Sequence, residues 1–107
     1  MKFLCLAYGD EKDWNALSKR EQDELLAQDE VLRQRGALMA AVGAVKTVRA
    51  WDGTPSTTDR PIAVSEMPLA GFSVIEARDL EEAIELVSKT PCAVAKGAIE
   101  VRPLREL

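Results

Sequence analysis

The stretch Lys2-Phe-Leu-Cys-Leu-Ala-Tyr8 decides the fold. It alternates within an apolar run, so Phe3, Cys5 and Ala7 project to one side and Leu4, Leu6 and Tyr8 to the other. A strand apolar on both sides must be covered on both sides, which makes it a central strand rather than an edge. Gly9-Asp10 then breaks the run, and residues 10–15 read as a polar loop carrying Trp14.

Ser18-Lys-Arg-Glu21 has the spacing of a capping box: a hydroxyl serves an unpaired backbone N–H and a glutamate reaches back. A helix is expected from there to about Arg35, with Gly36 as the left-handed residue that ends it. Leu25 and Leu32 stack seven apart with Val31 beside them, while Glu21 and Gln28 fall on the same side. Those two polar residues either sit at the margin of the packed face or line a partly polar cavity or an oligomer contact.

Residues 37–45 are small and apolar, with a turn near Gly43-Ala44, and residues 45–51 alternate as a strand does. Asp52-Gly53 signals a chain reversal, and Thr54-Pro55 leads out of it. Residues 57–68 read as a loop with at most a short strand. The next strand is 70–77, with Phe72 and Val74 on one face and Ser73, Ile75 and Ala77 on the other. Asp79-Leu-Glu-Glu82 repeats the cap-then-glutamate spacing, Leu80, Ala83, Ile84 and Val87 form a helical stripe, and Pro91 stops it. Residues 98–104 form a last strand whose Pro103 belongs near its end or at a sheet edge.

Strand, helix, two or three strands, helix, strand is the split βαβ plan. The expected class is α+β: a ferredoxin-like βαββαβ domain over residues 1–107, an antiparallel sheet with two helices on one face. Strands apolar on both sides leave the second face uncovered, and the economical cover is a second copy packed sheet to sheet as a two-fold homodimer.

Composition sets the outer limits. The chain has 107 residues, 14 Lys plus Arg against 18 Asp plus Glu, and a net charge of -4. One domain of ordinary size follows, and the acidic balance argues against nucleic acid, whose phosphates need a basic surface. No apolar run approaches the roughly 20 residues of a membrane span, and the apolar start is too short for a signal-peptide core, so a cytoplasmic location is expected. There is no histidine. That removes Ser-His and Cys-His nucleophile pairs, His metal sites and the usual general base near neutral pH. Cys5 and Cys92 read as two buried reduced thiols. No Gly-rich phosphate loop, metal-ligand spacing or nucleophile elbow appears, so no cofactor and no metal are expected.

Several segments carry a resemblance to a known family. They are Phe3-Leu-Cys-Leu-Ala-Tyr-Gly-Asp10, Val48-Arg-Ala-Trp-Asp-Gly53, Thr58-Asp-Arg-Pro-Ile62, Leu69-Ala-Gly-Phe-Ser-Val-Ile-Glu-Ala77 and Ile99-Glu-Val-Arg-Pro-Leu104. The chain resembles the YCII-related family in its DGPF-domain branch, and the resemblance implies a dimeric α+β barrel. The namesake Asp-Gly-Pro-Phe stands here as Asp59-Arg60-Pro61-Ile62, and the charged stretch that usually follows is Ile62-Ala-Val-Ser-Glu-Met67. Val64, Glu66 and Met67 replace a Glu, a Lys and a Glu of that stretch. Relatives in the YCII group have been proposed to use a His–Asp pair, and no histidine is present to fill that role.

Three groups of residues are candidates for chemistry. Arg49, Asp59, Arg60 and Glu66 combine guanidinium and carboxylate and suit a small anion or a polar ligand; the plainer use is Asp59 capping a turn while the others are solvated. Tyr8 and Asp10, at the end of the first strand, can donate and accept a proton. Trp14 and Trp51 can wall an apolar site, although cross-strand packing also accounts for Trp51. The expectation is a pocket between sheet and helices bounded by Tyr8, Arg49, Asp59 and Glu66. Asp59 and Tyr8 would be catalytic there, with Arg49, Asp10, Arg60, Glu66 and Trp51 holding a small polar or aromatic ligand. The alternative is a non-catalytic interaction module: the DGPF branch resembles proteins associated with extracytoplasmic-function sigma factors, and Met67-Pro68-Leu69 would then be contact surface.

Overall fold

Cap chemistry and strand alternation place nearly every element of the chain. The computed structural model describes residues 1–63 and 65–107; Val64 lies outside the described residues. The order is β1 (Lys2–Tyr8), α1 (Glu11–Asn15), α2 (Lys19–Gln34), β2 (Leu38–Ala41), β3 (Thr47–Arg49), β4 (Ser56–Thr58), β5 (Leu69–Glu76), α3 (Leu80–Val87), α4 (Pro91–Val94) and β6 (Ala98–Pro103). Four strands form one antiparallel sheet in the order β2-β5-β1-β6, with β1 in the interior as its two apolar faces require. This is the ferredoxin-like arrangement. Pro103 ends β6, an edge strand, where a missing N–H costs no ladder bond.

Local signals explain the helix boundaries. The Ser18 hydroxyl accepts from the Glu21 N–H at 3.1 Å and the Glu21 carboxylate accepts from the Ser18 N–H at 3.0 Å, closing the capping box. α2 ends as Gly36 takes φ 92°, which lets Gly36 N–H reach the Arg33 carbonyl at 2.9 Å and Ala37 N–H reach Leu32 at 3.0 Å. Asp79 caps α3 by accepting from Glu82 N–H at 2.9 Å, and Glu82 accepts in return from Arg78 N–H.

Two expectations need correction. Residues 10–15 are not all loop: Asp10 accepts from Lys12 N–H at 3.0 Å and caps the short α1. Pro91 does not merely stop a helix. α3 ends before it, and Pro91 opens α4, where the first turn has no use for its missing N–H.

The core lies between the sheet and the helices. Phe3 and Cys5 of β1, Ile75 of β5, Ala77, Leu32 of α2, and Ala83 and Val87 of α3 are buried together, flanked by Met39, Ile99 and Val101. The opposite sheet face carries Leu4, Leu6, Phe72, Val74 and Leu38, which stand side by side through the pairs Leu4↔Val74↔Leu38 and Leu6↔Phe72. Among the described residues no helix covers this face, and Leu38 is 63% exposed.

Between β2 and β5 the chain leaves the sheet to form the β3–β4 hairpin. Its tip turns at Asp52-Gly53: Gly53 has φ 87° and the Asp52 carboxylate accepts from Thr54 N–H at 3.0 Å. Thr47 is its one buried residue, bonded through its hydroxyl to the Arg60 carbonyl. The chain measures 50 Å along its longest axis and has a radius of gyration of 15.6 Å, against about 13 Å for a compact chain near this length.

Candidate functional site

Gln22, Leu25, Gln28, Asp29 and Leu32 form the inward stripe of α2, at spacings of three and four residues. Three of the five are polar. Gln22 is satisfied by donating to the Trp14 carbonyl at 2.9 Å. Asp29 and Leu32 face a cavity of about 260 Å³ between the sheet and the helices. Its floor is Cys5 and Ala7 of β1, Met39 of β2, Ser73 of β5 and Ile99 of β6; Val87, Thr90 and Cys92 close the far side.

The space exists because small residues stand where bulk would fill it. Ala7, Ala41 and Gly71 share the inward face there and border it. Gly71 has a second reason to lack a side chain: a Cβ there would lie 2.7 Å from the Ala40 carbonyl oxygen. Gly9 packs on Cys92 from outside, where a Cβ would stand 3.1 Å from Sγ.

Burial pushes the Asp29 carboxyl above the usual carboxylate range, opposed through space by Arg33 one turn along α2. The Arg33 guanidinium is itself bonded to Glu30 at 3.2 Å. Burial also raises the Cys92 thiol, and the charge of Asp29 raises it further. Burial raises the Cys5 thiol as well, opposed by the Ser73 hydroxyl. The site therefore offers one carboxyl able to give or take a proton and two protonated thiols, with Arg33, Ser73 and Thr90 set among mostly apolar walls. Both cysteines are free, and among the described residues no group of three or more Cys, Asp or Glu is placed to hold a metal ion.

None of the seven residues singled out from the sequence lines this cavity, so the expected boundary of Tyr8, Arg49, Asp59 and Glu66 is corrected. Tyr8 points to the opposite sheet face, where hydrogen bonding to the Glu100 carboxylate, with burial and charge, raises the phenol's pKa. Asp10 is the α1 cap. Arg49, Asp59 and Arg60 do come together, around a shallow depression on the hairpin shared with Thr47, Thr58, Pro61 and Ile62. Asp59 there pairs with Lys46, and Arg49 lies over the Trp51 ring at 5.7 Å from its centre. Trp51 is 91% exposed, and Glu66 is exposed on the segment leading to β5. Asp29 is not among the residues singled out from the sequence, although the 22, 25, 29, 32 spacing carries the signal for it.

The fold and the sequence can be set beside known proteins. The YCII-related domain matches residues 1–107. An uncharacterised protein of Rhizobium meliloti (strain 1021) is 31% identical over 115 residues, covering 97% of this chain and 92% of that protein. Among solved structures, 5-chloro-2-hydroxyhydroquinone dehydrochlorinase from Burkholderia phenoliruptrix AC1100, in complex with 2,5-dihydroxybenzoquinone, superposes with a TM-score of 0.52. That comparison covers 98% of this chain and 94% of the enzyme at 20% identity, which speaks for the shared fold. With the domain matched from end to end and the strand order the same as the residues imply, the chain belongs to the YCII-related family.

Proposed function

We propose that the protein binds a small organic molecule in the cavity beneath α2, with Asp29 as the acid–base group, and that it works as a homodimer. The observation that carries this reading is a half-buried carboxyl facing a mostly apolar cavity. In it Asp29 takes the role that the sequence suggested for Asp59 and Tyr8. A cavity of about 150 Å³ accommodates benzene, so about 260 Å³ suits one substituted ring. The fold is compatible with that size, since the dehydrochlorinase was captured with a single-ring quinone. Two free thiols suit a reducing compartment such as the cytoplasm.

A thermal-shift screen of single-ring compounds tests the binding. Ligands that stabilise the wild type should lose their effect in Ala41→Leu, which narrows the cavity from the edge strand, and keep it in Asp59→Asn. Equal stabilisation of wild type and Ala41→Leu would place the ligand elsewhere.

The uncovered sheet face favours a second function of contact. Leu4, Leu6, Phe72, Val74 and Leu38 form one apolar surface, and stacked sheets pack about 10 Å apart through such surfaces. We assign its cover to a second copy of the chain.

A further inference from the structure

Resting on the cavity reading above, we infer that the ligand is a small organic cation, a protonated amine on a single apolar ring, with the Asp29 carboxylate as its counter-ion. The argument is one of what the walls lack. Among the described residues, no hydrogen bond or ion pair satisfies the Asp29 carboxylate, although it faces the cavity. A half-buried carboxylate without a partner is costly, and a cationic donor is the group that relieves that cost most.

The other inward groups do not suit an anion. Among the described residues Arg33 is the one cationic side chain at the cavity, and one arm of its guanidinium is bonded to Glu30. The Thr90 hydroxyl donates to the Val87 carbonyl at 2.6 Å and is not free for a ligand. An anionic ligand would be repelled by the Asp29 charge, with the Arg33 charge already shared with Glu30. A neutral ring would fill the space and leave the carboxylate unpaired. An ammonium on a ring satisfies the apolar walls and the carboxylate together.

The pH dependence follows from the groups that face Asp29. From α2 it meets Arg33, charged throughout; from α4, Cys92; from the floor, Cys5 and Ser73; β6 and α3 contribute only Ile99 and Val87. Burial keeps both thiols protonated through neutral pH, so among the described residues lining the cavity Asp29 is the one that changes charge from acid to neutral pH. Affinity for a fixed cation should rise as Asp29 ionises.

Calorimetric titration with benzylamine, benzyl alcohol and benzoate tests this. Wild type should bind benzylamine at least about tenfold more tightly than benzyl alcohol, the lower end for a charged hydrogen bond, and benzoate not at all. Benzylamine affinity should strengthen from acid to neutral pH. Asp29→Asn should reduce benzylamine to the level of benzyl alcohol and flatten the pH profile. Benzyl alcohol or benzoate matching benzylamine on the wild type, or a pH profile already flat there, would overturn the cation and leave the cavity standing. Failure of all three to bind would overturn both. The wild-type pH profile decides the matter even if Asp29→Asn folds poorly.

Discussion

Asp29 on α2 and Cys92 on α4 border one cavity, and the carboxylate acts on the thiol through space to raise its pKa beyond what burial alone does. Removing the charge should therefore loosen the thiol's proton. Asp29→Asn is expected to increase the rate of Cys92 alkylation by iodoacetamide, by about two- to fivefold at mildly alkaline pH, because the reactive species is the thiolate. Mass spectrometry of the Cys92 peptide against time reads this out. An unchanged rate would mean that the two groups do not interact.

The same carboxyl gives stability an unusual slope with pH. Its folded-state pKa is raised, so the folded chain holds that proton more tightly than the unfolded chain. The stabilisation is complete below the ordinary carboxylate pKa and is lost as pH rises through the folded value. Asp29→Asn should remove that loss and leave the protein more stable at neutral pH by a few tenths of a kcal/mol to about 1 kcal/mol, after solvent screening of a half-exposed group. Urea denaturation of both proteins at acid and neutral pH measures the difference.

Gly97 is pinned by backbone on three sides. A Cβ there would lie 2.2 Å from the Tyr8 carbonyl oxygen, 2.6 Å from the Cys92 carbonyl oxygen and 3.2 Å from Gly9 Cα. Gly97→Ala should cost about 1–3 kcal/mol or more, since no flexible side chain can move aside. Gly43 meets nothing within 4 Å, and Gly43→Ala should be neutral or stabilise by up to about 1 kcal/mol through the unfolded chain. Parallel denaturation curves should separate the two.

If a second copy covers the open sheet face, a charge in its middle should split the pair. Leu6 stands between Phe72 of β5 and Glu100 of β6, and Leu6→Glu would put like charges side by side on that face. Sedimentation velocity should give a two-chain mass for the wild type and a one-chain mass for the variant. A wild type that sediments as a single chain at micromolar concentration would overturn the dimer.

Much of the fold was legible because it rests on short-range chemistry. Ser18 with Glu21, Asp79 with Glu82 and Gly36 each solve a local hydrogen-bonding problem, and each fixes a helix boundary. The interior position of β1 followed from its two apolar faces. α1 escaped because five residues are too few to show a period, although Asp10 was there to cap it. The cavity was harder to read, since it is defined by absent bulk: alanines and Gly71 on three strands make a space only once the strands are in register. Chemistry-bearing residues such as Arg49, Asp59 and Trp51 drew attention by type, yet the hairpin carries them on its own surface. By type Asp29 is one of 18 acidic residues, and only its place on the inward stripe of α2 against the sheet sets it apart.

The register of β1 also governs when the protein can be made. Lys2 lies opposite Glu76, and Phe3 lies opposite both Ile75 and Pro103, so each partner of β1 is synthesised long after it. While the ribosome is still producing β2 and the hairpin, β1 has neither neighbour and exposes Leu4, Leu6 and Phe3 together. A nascent chain therefore cannot build this sheet from the front. It must keep an adhesive strand waiting until β5 and then β6 emerge, a topology whose long-range pairings make folding slow and leave the growing chain dependent on shielding from its neighbours.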